Sequence, residues 1–90
     1  SIEISRNALM SEGSLIVPLS AVEASRTPLI PELFSWMKAQ RERRPDTSAR
    51  AREVMLQSDR EIPFSIVKKV MYTCSKAGFS EYSVLVIQEE

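Results

Sequence analysis

The stretch from Glu53 to Ile87 constrains this chain more than any other part of it. Glu53-Val54-Met55-Leu56-Gln57-Ser58 reads as a short buried strand. Ile62-Pro63-Phe64 then opens a helix, with proline near the first helical position, where its missing N–H costs nothing. Phe64, Val67, Val70, Met71, Cys74 and Ala77 recur at helical spacing and predict one apolar face. Lys68, Lys69 and Lys76 fall on the opposite or flanking faces, the pattern of a solvated surface. Gly78 is placed to close the helix in the left-handed conformation. Tyr82-Ser83-Val84-Leu85-Val86-Ile87 is a nearly unbroken β-branched and aliphatic run, as expected for a strand covered on both faces or inserted between neighbours. Strand, helix and strand within about 35 residues match the length of a right-handed βαβ crossover. Strands 53–58 and 82–87 are therefore expected to run parallel in one sheet.

Upstream, Ile2 and Ile4 alternate with Glu3 and Ser5 at the period of a half-buried strand. Ala8-Leu9-Met10 and Ser14-Leu15-Ile16-Val17 flank Ser11-Glu12-Gly13, which predicts a hairpin with Gly13 free to take positive φ. Pro18 blocks the ladder, and the small polar stretch from Ser20 to Arg26 reads as a loop. Thr27-Pro28 looks like an N-cap followed by a first-turn proline. The helix it opens carries Ile30, Leu33, Phe34, Met37 and Ala39 or Arg41 as its stripe, has Trp36 at the margin, and runs to about Arg44. Pro45-Asp46-Thr47-Ser48 breaks it, and Ala49 to Arg52 is a charged connector. The order reads β-β-α-β-α-β. Residues 1–90 form one small α+β domain, with both helices on one face of a mixed sheet.

Little in the chain promises chemistry. Histidine is absent, which removes the commonest general base and metal ligand. Asp59 with Glu61, and Glu89 with Glu90, read as exposed acids. The two glycines, Gly13 and Gly78, are too far apart for a phosphate loop. Cys74 lies at an apolar helical position with no histidine partner and reads as a buried structural thiol. No catalytic residue, metal or cofactor is expected. Twelve basic residues balance twelve acidic ones, so electrostatic binding must be local. The densest charge is the run 38–52, with Lys38, Arg41, Arg43, Arg44, Arg50 and Arg52. Arg41, Arg43 and Arg44 could contact an anion; the simpler reading is a solvated helix end that complements the helix dipole. Base-stacking aromatics are missing from the strands apart from Tyr82, so no nucleic acid is expected as a partner. The longest apolar stretches are too short to cross a bilayer. The chain starts on strand-like Ser1-Ile2-Glu3-Ile4 without an initiator methionine, which leads us to expect an upstream segment such as a membrane anchor.

The run Leu56-Gln57-Ser58-Asp59-Arg60-Glu61-Ile62-Pro63-Phe64-Ser65-Ile66-Val67, then Val70-Met71, Ala77-Gly78-Phe79 and Val84-Leu85-Val86, resembles the ExbD/TolR family of biopolymer transport proteins. Its members share a strand ending in a small residue and Asp, and an apolar-Pro-aromatic helix start with a Val-Met pair. An Ala-Gly end and a final aliphatic strand follow. Asp59, Pro63 and Gly78 occupy structural positions of that motif. The first half agrees only in element order, and the basic connector from Arg41 to Arg52 departs from the pattern. The resemblance implies a single-pass inner-membrane protein whose periplasmic part is this domain. It implies homodimers within an ExbB/TolQ-type channel, coupling the proton motive force to TonB- or TolA-like partners, with peptidoglycan as a further ligand of TolR-like members. The family's proton-responsive Asp lies in the transmembrane helix, and Asp59 is not it.

A sheet edge can accept a partner's extended segment or a second copy. Ser83 to Ile87 or the first strand is the expected edge, with Tyr82, Val84 and Val86 in the interface. The alternative reading is a ferredoxin-like regulatory or RNA-binding module that uses the basic run 38–52.

Overall fold

The computed structural model describes residues 1–43 and 53–87. Five strands and three helices alternate as β1 (Ile2–Ile4), β2 (Ala8–Ser11), β3 (Ser14–Pro18), α1 (Leu19–Ala24), α2 (Pro31–Arg43), β4 (Glu53–Asp59), α3 (Phe64–Lys76) and β5 (Glu81–Ile87). They make one mixed sheet of order β3-β2-β1-β4-β5 with the helices packed against it, the expected α+β class. β1 pairs antiparallel with β2 and parallel with β4. β4 and β5 are parallel neighbours, as the βαβ reading requires.

Sidedness follows from the period-two pattern. Ile2, Ile4, Leu9, Val17, Val54 and Leu56 point to the helix layer and are buried. There they meet Leu19 and Val22 of α1, Leu33 and Met37 of α2, and Ile66, Val67, Val70 and Cys74 of α3. Glu3, Leu15 and Met55 lie exposed on the other face.

The hairpin forms where expected. Ser11 pairs with Ser14, and the two loop residues Glu12 and Gly13 both take positive φ, 52° and 82°, as a type I′ turn requires. A register shift interrupts the β2–β3 ladder beyond this turn.

Several expectations need correction. The segment read as a loop, Ser20 to Arg26, overlaps helix α1, which starts at Leu19, because Leu19 and Val22 fall three residues apart and both reach the core. Ile2–Ile4 forms the strand expected of it, but with the two hairpin arms it makes three strands before the first helix, not the two of the expected order. The next helix begins at Pro31, not Pro28, so Pro31 takes the first-turn position. The Thr27 hydroxyl donates to the Leu29 carbonyl (3.0 Å) instead of capping the helix. On α2, Ala39 is exposed, while Leu33 and Met37 carry the burial, with Ile30 buried just before the helix.

On α3, Pro63 is the N-cap, with φ −57° and ψ 141°, and Gly78 ends the helix at φ +101°. Phe64 does not belong to the buried face: it is 67% exposed, and Ile66 and Thr73 complete that face instead. Lys69 is not a merely solvated residue. Its Nζ donates to the carbonyls of Val22 (3.1 Å) and Ser25 (2.7 Å), capping the C-terminal end of α1.

Candidate partner-binding edge

β5 is the exposed margin of the sheet. The register pairs Val54 with Tyr82, Leu56 with Val84 and Ser58 with Val86. Since Val54, Leu56 and Ser58 are buried under the helices, Tyr82, Val84 and Val86 point to the helix side, and Ser83, Leu85 and Ile87 point to the open side. Tyr82 is half-buried, and its hydroxyl donates to the Met71 carbonyl of α3 (3.0 Å), pinning the start of the strand. Beyond that point cover ends. Val84 is 45% exposed, Leu85 52%, Val86 52% and Ile87 41%.

The expectation of a strand covered on both faces or inserted between neighbours is therefore overturned. The apolar run serves a strand bare on both faces, whose outer backbone edge meets no strand among the described residues. The first strand is likewise not an edge; β1 lies in the middle of the sheet, between β2 and β4. The remaining edge, β3, ends at Pro18 and pairs with β2 through the register shift, features that blunt an edge against further pairing.

Phe64 joins this surface. The flank of α3 carrying Lys69 and Thr73 faces α1 and the start of α2, because Lys69 bonds Val22 and Ser25 while the Thr73 hydroxyl accepts from the Ile30 N–H (3.0 Å). Phe64 and Met71, seven residues apart, share the opposite flank, beside β5, while Lys68 points away from the sheet with the exposed Ser65, Tyr72 and Ser75. Sequence reasoning missed Phe64 as a surface residue, and it included Leu85 and Ile87 in the expected edge without naming them in its interface. The signal for those two was a run apolar at both odd and even positions, which was also read as double burial.

The family-motif residues act structurally. Asp59 Oδ1 accepts from the Glu61 N–H (3.0 Å) and fixes the turn leaving β4; Arg6 pairs with Glu61 and approaches Asp59 Oδ2 at 4.0 Å. Of the basic candidates, Arg41 is half-buried with its guanidinium over the Phe79 ring, 6.0 Å to the centroid, and its Nε fills the space that a side chain at Gly78 would take, 3.3 Å from where a Cβ would stand. Arg43 is exposed in the last turn of α2. Arg44, Arg50 and Arg52 lie outside the described residues, so Arg41, Arg43 and Arg44 are not seen as one cluster.

A shallow cleft of about 140 Å³ lies between α2 and the sheet, lined by Trp36, Gln40, Arg41, Glu12 and Glu53 among others. Its mixed charges select no single sign of ligand. Burial pushes the Cys74 thiol up from 9.0 to about 12, so it stays protonated and unreactive at neutral pH. Among the described residues no group of acids and cysteines could hold a metal, and no helix is long and apolar enough to cross a membrane. No family model, curated protein or solved structure matches the chain.

Proposed function

We propose that this chain is a non-enzymatic partner-binding domain of the ExbD/TolR kind. On this reading it is the periplasmic part of an inner-membrane protein that works with an ExbB/TolQ-type channel and passes proton-driven work to TonB- or TolA-like partners. The observation that carries the proposal is β5, a seven-residue edge strand with four consecutive exposed aliphatic side chains. A monomeric soluble domain seldom leaves such a strand bare, and strand addition would cover it with backbone hydrogen bonds along its outer edge. The same edge serves a homodimer by antiparallel pairing of two β5 strands. Support for the family comes from the ordered match over residues 56–86, whose Asp59, Pro63 and Gly78 sit at the turn, the cap and the helix end where such a motif needs them.

The alternative, a ferredoxin-like module, is favoured by no comparable feature. In that fold the βαβ unit is split by an intervening strand, whereas β4 and β5 are direct neighbours.

The test is an amide NMR titration with the periplasmic segment of a TonB-like protein from the same organism, and separately with peptidoglycan fragments. Shifts are expected to cluster on residues 81–87 with the segment, and to vanish in Val84→Glu, an exposed position where a charge leaves the fold intact. A peptide response that spares β5, or salt-sensitive RNA shifts at Arg41 and Arg43 without any peptide response, would refute the proposal.

A further inference from the structure

We infer that the open face of the sheet docks a cationic amphipathic helix of a partner protein, one whose apolar stripe is interrupted and bordered by arginine or lysine. The site is separate from the outer edge of β5 and does not depend on strand addition there.

Charge is sorted between the two layers of the fold. The five strands contain no lysine or arginine, and their charged residues are Glu3, Glu53, Asp59 and Glu81. All four lie on the open side. Glu3 alternates with the buried Ile2 and Ile4, Glu53 and Asp59 alternate with the buried Val54, Leu56 and Ser58, and Glu81 stands in register with Glu53. The basic residues of the helices, Lys38, Arg41, Arg43, Lys68, Lys69 and Lys76, belong to α2 and α3 on the other side of the sheet. Arg6 and Arg60 stand at the Asp59 end of the open face, where Arg6 pairs with Glu61 and approaches Asp59. Arg41 lines a cleft with Glu53 but holds its guanidinium over the Phe79 ring. Among the described residues, Glu3, Glu53 and Glu81 form no ion pair. Glu53 and Glu81 are exposed direct neighbours on β4 and β5, an in-register pair of like charges that costs stability until a cation joins it.

Between these acids the face is apolar. One row crosses all five strands in register, Leu15, Met10, Glu3, Gln57 and Leu85. Leu15 is 60% exposed, and Met55, beside this row on β4, is 47% exposed. Two apolar groups thus flank a central carboxylate, with adaptable methionine in each. At about 4.8 Å per strand the row is roughly 19 Å long, the rise of about 13 helical residues. A helix laid across it rests apolar side chains on Leu15 and Met10 at one end and on Met55 and Leu85 at the other. A basic residue in its middle meets Glu3, and others on its border meet Glu53 and Glu81. The opposite face of the same sheet is already covered by helices. An anionic surface is repelled here. A second copy of this chain matches in charge but not in shape, because the outward face of α3 offers Ser65, Lys68, Tyr72 and Ser75 and no apolar stripe to cover Leu15 and Met55.

Three peptides of about 14 residues test this against the intact domain: a leucine-striped helix with a central arginine and lysine borders, its twin with glutamate at every basic position, and a scramble of the first that destroys the stripe. The cationic helix should shift the amides of Glu3, Met10, Met55, Gln57 and Leu85. At low salt it should bind at least about tenfold more tightly than the acidic twin and about fivefold more tightly than the scramble. Glu3→Lys and, separately, Glu53→Lys, both at exposed positions, should each weaken it at least about fivefold. Val84→Glu, which blocks the β5 edge from the helix side, should leave it unchanged. Equal binding of the twins or of the scramble, or no loss in either lysine variant, would overturn the inference. Loss of binding in Val84→Glu would return the site to the β5 edge, and open-face shifts that grow with protein concentration in the absence of peptide would replace the helix with a second copy.

Discussion

Thr73 sits in the apolar stripe of α3, fully buried, and its hydroxyl is used twice. It donates to the Lys69 carbonyl (2.8 Å) and accepts from the Ile30 N–H (3.0 Å), tying the start of α2 to the middle of α3. Thr73→Val keeps the shape and strands the buried Ile30 N–H. It should cost about 1–3 kcal/mol in urea unfolding, with an unchanged m-value, whereas Thr73→Ser should retain most of that stability. A valine variant within about 0.5 kcal/mol of wild type would show that the tether contributes nothing. Cys74, next along the same helix, titrates from about 12 when folded and from 9.0 in a solvated chain. Above pH 9 the unfolded state has lost a proton that the folded state keeps, so stability is complete below pH 9 and falls as pH rises toward 12, by about 1.4 kcal/mol per unit. Cys74→Ala should remove this part of the alkaline slope in denaturation curves recorded between pH 8.5 and 11, and an identical slope in the variant would refute the assignment. The sequence marked Cys74 as buried by spacing alone. It could not mark Thr73, because a hydroxyl in an apolar stripe gains its meaning from Ile30, 43 residues away.

At the scale of elements, what was legible is what local chemistry dictates. The Glu12-Gly13 turn, the Pro63 cap and the Gly78 terminus each depend on a few adjacent residues, and each forms where the sequence places it. α1 was missed because its six residues are too short to display a period, and its end is completed by Lys69 from α3 rather than by a local cap. The start of α2 was misplaced for a related reason: Pro28 and Pro31 are both acceptable in a first turn, and the Thr73 contact to Ile30 decides between them. β5 was identified as a strand and given two surroundings, a covered strand and an exposed edge at Ser83 to Ile87, of which the structure keeps the edge. A run such as Val84-Leu85-Val86-Ile87 is apolar on both faces, and that pattern does not record whether the chain itself covers them. Phe64 is the same ambiguity on a helix, since an aromatic at the margin of an apolar stripe looks alike whether it packs inward or waits for a partner.

At the scale of the whole molecule, the sheet offers a single competent edge among the described residues, because β3 is blunted and β5 is not. One edge holds one strand, so self-pairing through β5 and capture of a foreign segment exclude each other, and a bound segment must dissociate a β5-paired dimer. The radius of gyration makes this measurable. The single chain has a value of 12.5 Å over its Cα atoms, close to the roughly 12 Å of a compact domain of this length. Two copies joined β5 to β5 extend the sheet sideways; at about 4.8 Å per strand their centres lie roughly 24 Å apart, which gives a dimer of about 17 Å. Small-angle scattering over a concentration series should therefore climb from near 12.5 Å toward about 17 Å, and Val84→Glu should hold it at the lower value throughout. Adding a segment that binds β5 to a β5-paired dimer should bring it back down, with one segment per chain. A rise that persists in Val84→Glu would instead mean stacking through the open face that carries Leu15 and Met55, and a dimer that keeps its size while binding peptide would show that the two events use different surfaces.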